Sequence, residues 1–231
     1  MNVGRNRVVA LALTFCLSRV TVAIAADTVS SHDADYDYDP PQAGSYALPV
    51  IKVAPDGAIV GSDSKSLNLS HLTRGRVTVL SFIYTRCAAP KACPYATGAL
   101  GQLHALSEND KTLATGMRLV SVSFDPDYDT PQRLAEYSEA MRDAKLGCEW
   151  WFVTTKSHEA LDSILNGYGQ AVDKRSNPND PQGPLYHILR VFLIDREGRV
   201  RNIYSSATLD PRLVLADVKT LLMEEAKLSK H

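Results

Sequence analysis

The apolar residues of this chain fall into short blocks that switch between two periods. Residues 77–84 (Val-Thr-Val-Leu-Ser-Phe-Ile-Tyr) form a nearly continuous apolar run, the pattern of a strand buried on both faces. Residues 117–124 repeat it with β-branched content, and residues 150–153 predict a shorter strand. Between these runs the period is helical. Pro94 opens a helix at its first position, with Cys93 near the cap, and Leu100, Leu103 and Leu106 supply an apolar face. Thr130-Pro131 is a cap followed by proline, with Leu134, Tyr137 and Met141 at helical spacing. Ser157 caps a further helix that carries Leu161, Ile164, Leu165 and Tyr168 on one face and stops at Gly169. Residues 170–184 are polar and rich in Pro, Asn and Asp, which predicts a loop. Residues 187–194 and 199–204 read as strands joined across Asp195-Arg-Glu-Gly198, a hairpin turn. Asp210-Pro211 starts a last helix with Val214, Val218, Leu221 and Leu222 inward.

Strand and helix therefore alternate three times before a closing hairpin and helix. Such alternation implies an α/β protein with a central mixed, mostly parallel sheet flanked by helices on both faces. An antiparallel hairpin and helix after a βαβ unit is the thioredoxin-like arrangement, here with an added N-terminal strand region. Active thiols of that arrangement sit where the first βαβ strand meets its helix, and Cys87 and Cys93 fall there.

Composition adds the frame. At 231 residues and 45% hydrophobic content, the chain is long enough for one sizeable domain. A net charge of -1 carries no nucleic-acid footprint. The first residues read as an address: Arg5 and Arg7 precede an apolar run over residues 8–17, and Ala23-Ile24-Ala25 matches a small-x-small cleavage site. Residues 1–25 are thus expected to be a signal peptide, and the protein periplasmic or otherwise exported. The rival is an uncleaved membrane anchor, which Arg19 inside the apolar stretch makes costly. Cleavage leaves no membrane span in the mature chain. Residues 26–45 are acidic and proline-bearing with little to bury, a flexible tether ahead of a domain over residues 46–231. Removing the signal removes Cys16 and leaves Cys87, Cys93 and Cys148.

A strand end that meets a helix start points backbone N–H groups and a positive helix end at whatever lies there. Thiols so placed tend to be thiolates, which attack disulfides or bind soft metals. Five residues separate Cys87 from Cys93, and a six-residue offset on an ideal helix turns the side chain through about 600°. The pair must then lie on a loop, with only Cys93 at the helix end. An inert disulfide is the plainer alternative. His187 begins a predicted strand just after the polar loop, where a lone histidine is usually a satisfied surface or core residue. With two thiolates it instead completes a soft, low-coordinate set suited to copper. Asp125 and Asp129 sit at the carboxyl end of the second long strand, where ligand loops gather. They either shape the turn and cap the next helix, or brace the site and dock a partner. Cys148 reads as a buried or incidental thiol, and His71 and His104 as structural or solvated.

At these residues the chain resembles the Sco/SenC family of copper-binding thioredoxin-fold proteins. The resemblance is carried by Phe82-Ile-Tyr84-Thr85-Arg86-Cys87 with Cys93-Pro94, by Asp125-Pro126-Asp127-Tyr128-Asp129-Thr130-Pro131, and by His187 standing eight residues before Asp195 of Leu193-Ile-Asp195-Arg-Glu-Gly198. It runs from about residue 48 to residue 222. It implies copper, as Cu(I) or Cu(II), bound by Cys87, Cys93 and His187. It also implies a role in assembling the copper centre of a respiratory oxidase, or in reducing that centre's cysteines. One departure stands out: the family usually spaces its cysteines with three residues between them, not five.

Two functions compete. In the first the protein is a metallochaperone that hands copper to a cuproenzyme such as oxidase subunit II, after a thiol reductant partner has opened the cysteine pair. In the second it is a thiol–disulfide oxidoreductase using Cys87 and Cys93, with Cys93 at the helix end expected to have the lower pKa. A peroxidase reading through Cys87 is weaker, because no proline precedes Thr85. His187 separates the two, since copper binding needs it and disulfide exchange does not.

Overall fold

In the computed structural model, which describes Met1, residues 38–141 and residues 146–228, the chain reaches its first long strand by a short antiparallel preamble. The preamble comprises β1 (Lys52–Val53), β2 (Ala58–Gly61), β3 (Ser66–Asn68) and the single turn α1 (Ser70–Thr73). The alternating part follows: β4 (Val77–Ile83), α2 (Cys93–Glu108), α3 (Lys111–Gly116), β5 (Met117–Ser123), α4 (Pro131–Met141), β6 (Glu149–Thr154) and α5 (His158–Tyr168). It closes with β7 (Val172–Lys174), β8 (Leu185–His187), β9 (Arg190–Ile194), β10 (Arg199–Ser205) and α6 (Pro211–Leu228).

Strand order in the main sheet is β1-β10-β9-β4-β5-β6-β2-β3. The β4–β5 and β5–β6 pairs are parallel, and β9 joins β4 antiparallel. The mixed sheet with a closing hairpin and helix is the expected thioredoxin-like α/β fold, and β1, β2 and β3 are its added N-terminal strands. Every residue of β4 is buried, as its unbroken apolar run requires. Helices cover both faces. His104 of α2 packs on Trp150 and Tyr137 of α4 on Phe152, whereas Tyr168 of α5 meets Phe82 and Phe192 on the other side.

Local chemistry explains most boundaries. The Ser157 hydroxyl accepts from the Ala160 N–H, and Gly169 ends α5 at φ 67°, a left-handed cap that favours glycine. Sequence periodicity missed α3, which Asp110 starts by accepting from the Thr112 and Leu113 N–H groups at 2.9 and 3.2 Å. Leu106 was expected inward and is 48% exposed. From Leu100 the 3.6-residue turn carries the buried face to Leu103, His104 and Ser107, one position past Leu106. The polar stretch 170–184 contains a strand, β7, too short and too polar to show a period.

The largest correction falls on residues 187–194. They do not form one strand. β8 pairs only with β7 in a separate two-stranded sheet, and β9 begins at Arg190 in the main sheet. Side chains stabilise the break: Gln170 Nε2 donates to the Ile188 carbonyl at 2.7 Å, and Arg190 Nη1 to the Gly169 carbonyl at 2.5 Å. His187 therefore stands on a small hairpin that leans over the end of the main sheet.

At the N-terminal side the domain is fastened from Gly44, whose N–H donates to Thr220 Oγ1 at 2.9 Å. Tyr46 and Tyr204 both donate to the buried Asp217 carboxylate, at 2.5 and 2.6 Å. Among the described residues no helix is long and apolar enough to cross a membrane, and residues 2–25 of the expected signal peptide lie outside the described residues.

Candidate metal centre

Three elements converge where β4 ends. The loop after β4 carries Cys87, the first residue of α2 is Cys93, and the last residue of β8 is His187. Their ligand atoms all lie within 4.8 Å of one another. Cys93 Sγ is 3.2 Å from His187 Nε2, and both cysteines are free thiols. Cys93 is 2% exposed and His187 9%, while Cys87 is half-buried.

The loop is held at each end. On the strand side, Asp129 is fully buried and accepts from the Thr85 N–H at 3.0 Å, the Thr85 hydroxyl, and the Ser123 hydroxyl at 2.6 Å. Burial nonetheless raises its pKa, with the nearby Asp125 adding to the effect. Asp125 takes a 2.6 Å ion pair from Arg86, whose guanidinium also lies 4.0 Å from the centre of the Tyr128 ring. Asp125 and Asp129 thus grip the two residues immediately before Cys87, while the third acid of the motif, Asp127, pairs with His158. Asp125 and Asp129 stay out of the donor cluster itself.

Across the site, Tyr84 donates its hydroxyl to the Gln182 and Leu185 carbonyls at 3.2 and 3.1 Å, tying β4 to the hairpin that carries His187. The Ala88 N–H adds a 3.2 Å bond to the Gln182 carbonyl. Gly183 makes this closeness possible: at φ 100°, a Cβ there would sit 2.3 Å from the Tyr84 hydroxyl and 2.9 Å from the Arg86 carbonyl. In the sequence Tyr84 stands only as a member of its strand-end motif, and Gly183 only as one residue of a polar loop. Gly183-Pro184 beside a predicted strand was the available signal for a forced turn.

Electrostatically the two thiols are unequal. Cys87 is lowered to about 4, chiefly by a hydrogen bond from Cys93, against the opposing effect of burial, with His187 and the Ala89 and Cys93 N–H groups also donating. Cys93 is raised, by that same bond to Cys87 and then by burial. One proton is shared, and it stays on the buried sulfur. The expectation that Cys93, at the helix end, would have the lower pKa is corrected. The helix terminus does touch Cys93, but its hydrogen bond to Cys87 and then burial outweigh it, and the half-exposed Cys87 collects the donors.

His187 Nδ1 is buried and has no hydrogen-bond partner among the described residues. Its ring is held instead by Phe124, with centroids 4.7 Å apart. Thiolate, thiol and imidazole aimed at one point are a soft donor set, and such a set fits a soft ion better than a hard one. The other candidates lie elsewhere. Cys148 is buried, with burial raising its pKa, and its N–H donates to Ser107 Oγ at 2.7 Å. His104 is buried beside Trp150, and His71 is exposed in α1.

A thioredoxin-like α/β domain with two cysteines and a histidine meeting at its strand–helix junction defines a class of thiol and soft-metal proteins. Within that class the chain belongs to the SCO1/SenC family, whose model matches residues 61–223. A SCO1 protein homolog of Bacillus subtilis (strain 168) is 25% identical over 160 residues, covering 68% of this chain and 77% of the relative. Among solved structures, a SCO1/SenC family lipoprotein from Bacillus anthracis str. Ames is 26% identical with a TM-score of 0.63, over 76% of this chain and 99% of that one. Arabidopsis thaliana ScoI with copper bound shares the fold at 21% identity and a TM-score of 0.61, over 75% of this chain and 99% of that one.

Proposed function

We propose that this protein is a copper-binding metallochaperone of an exported compartment, with Cys87, Cys93 and His187 as the copper ligands. The carrying observation is the convergence of their three donor atoms within 4.8 Å. Family membership and the copper-bound Arabidopsis relative support the choice of metal. Copper is the cargo: an acceptor such as the copper site of a respiratory oxidase replaces the ligands one at a time, and Cys87 is the one it reaches first. Residues 1–25 serve as the export signal and the acidic stretch that follows as a spacer. The five-residue cysteine spacing does not prevent the sulfurs from converging, because the loop between them turns back on itself, with the Ala92 N–H bonded to the Ala89 carbonyl at 3.0 Å.

A Cys87–Cys93 disulfide offers no thiolate, so copper uptake requires the reduced pair. The test is metal analysis of reduced and oxidised protein after loading and desalting. Reduced protein should retain about one copper per chain and oxidised protein close to none. Equal uptake in both states would remove the cysteines from the ligand set, and no retention by the reduced protein would end the delivery reading.

The second reading, thiol–disulfide exchange, draws support from the inequality of the thiols. Cys87 is a half-buried thiolate at the mouth of the site, able to attack a target disulfide, and Cys93 is a buried thiol placed to resolve the product. Reduction of an acceptor's cysteines before delivery would use the same pair.

A further inference from the structure

The donor cluster opens onto one cleft of about 440 Å³, lined by Cys87 and His187 but not by Cys93. That volume accepts a few side chains of a visiting segment. Its wall carries two charged groups, Lys91 from the loop between the cysteines and Arg175 just past β7. Both are basic, and neither makes an ion pair among the described residues. Among the described residues the partners of Arg175 are neutral: it donates from Nε to the Leu185 carbonyl and from Nη2 to Gln182 Oε1, each at 3.2 Å, and its guanidinium lies 5.7 Å from the centre of the Tyr186 ring. The acids of the neighbouring hairpin, Asp173 and Asp180, do not line the cleft, and Asp180 accepts from the Gln182 N–H at 2.8 Å. With a net charge of -1 over the whole chain, this positive field is local. Next to His187, Tyr186 also lines the cleft and is 53% exposed, an aromatic surface that a small free thiol would not need but a polypeptide can cover.

We infer that this cleft receives a cysteine-bearing segment of the partner protein whose flanking residues are acidic, selected by Lys91 and Arg175. The inference deepens the delivery reading and rests on it for the partner's identity as a thiol acceptor. Thiol exchange reports the selection without any metal. Two peptide disulfides of equal length serve as probes, one with Glu and one with Lys on each side of its cysteine. The Cys87 thiolate attacks one sulfur, forming a Cys87–peptide disulfide and expelling the other peptide as a thiolate. Cys93 then loses its proton to the buffer and displaces the second peptide, closing the Cys87–Cys93 bond. The protein dithiol is oxidised by two electrons and the peptide disulfide is reduced by two.

At low salt the acidic peptide should react faster by about tenfold, within the range of electrostatic steering. In 1 M salt, where screening acts over about 3 Å, the ratio should approach one. Lys91→Glu and Arg175→Glu should each lower the ratio several-fold, and the double variant should invert it. The ratio is insensitive to any change in Cys87 ionisation, because both peptides meet the same nucleophile. Lys91→Glu is the cleaner arm, since Arg175 also braces the hairpin. A low-salt ratio near one in the unaltered protein, or a ratio that neither variant moves, overturns the inference. Copper retention measured on the same preparations separates the two failures: retained copper with an unmoved ratio removes only the charge selection, and lost copper removes the delivery reading.

Discussion

Cys87 and Cys93 share a proton unequally, and that inequality sets the pH behaviour of the reduced protein. The folded pKa of Cys87 is depressed from 9.0 to about 4, so its contribution to stability is fully present above 9.0 and is lost as pH falls towards 4. Cys93 is raised, so its contribution is present below the usual thiol range and is lost as pH rises beyond it. Denaturation midpoints compared between the reduced protein and Cys87→Ser from pH 4 to 9 should therefore diverge steadily as pH rises, with the unaltered protein gaining. Parallel curves would place the thiolate elsewhere. Near neutral pH, loading Cu(I) should release about one proton per ion, from Cys93, because Cys87 has already lost its own; a pH indicator in weak buffer reads this directly. The imidazole separates the two functions. His187→Ala should weaken copper binding by roughly 10- to 100-fold, about 1.4 to 3 kcal/mol, while peptide-disulfide reduction changes little. The fold should survive, since the ring caps a short hairpin rather than the sheet. Unchanged affinity with collapsed exchange rates would make His187 a base and favour the oxidoreductase reading.

At the scale of elements, the site depends on contacts that hold loops rather than on the ligands alone. Asp129→Ala leaves the Thr85 N–H and hydroxyl, both part-buried, and the buried Ser123 hydroxyl without their acceptor, a buried loss of this kind costing about 1–3 kcal/mol. Copper affinity should fall by about 10-fold or more, as for other groups that orient ligands from behind. Asp129→Asn keeps an acceptor oxygen and should recover part of both losses, which thermal unfolding and a copper-competition titration measure together. Gly183→Ala acts from the opposite wall, forcing a Cβ against the Tyr84 hydroxyl at a positive φ. It should cost about 1–3 kcal/mol, the usual scale of a strained backbone position, and loosen the approach of His187 to Cys93. An unchanged midpoint and unchanged copper affinity would show that the hairpin moves freely. The buried β4 run, the capped helices α4, α5 and α6 and the hairpin β9–β10 were all legible in the sequence, because caps, proline and period are local signals. β7, α3 and the break after His187 were not. β7 is three residues with one apolar side chain, and the break is stabilised by Gln170 and Arg190 reaching across from other positions.

For the whole molecule, the three donors come from the β4–α2 loop, the start of α2 and the end of β8, so they are assembled only by the folded sheet. A soft ion that bridges them binds the folded chain far better than the unfolded one. Copper at 100 times its dissociation constant should then raise unfolding stability by about 2.7 kcal/mol. The rise should be smaller in His187→Ala, where the remaining cysteines lie close in sequence and the unfolded chain can use them too. Calorimetry of apo and loaded protein checks both. The sequence by itself determined the alternating α/β architecture, the place of the thiols at a strand–helix junction, the family resemblance and the three candidate donor residues that the fold brings together, because these follow from period, capping and short motifs. Only the tertiary structure decided which cysteine is the thiolate, what Asp125 and Asp129 grip, and that the cleft beside Cys87 is walled by bases. Burial, hydrogen bonding and charge environment are set by residues far apart along the chain. Cys93 and His187 lie 94 positions apart in sequence and 3.2 Å apart in space.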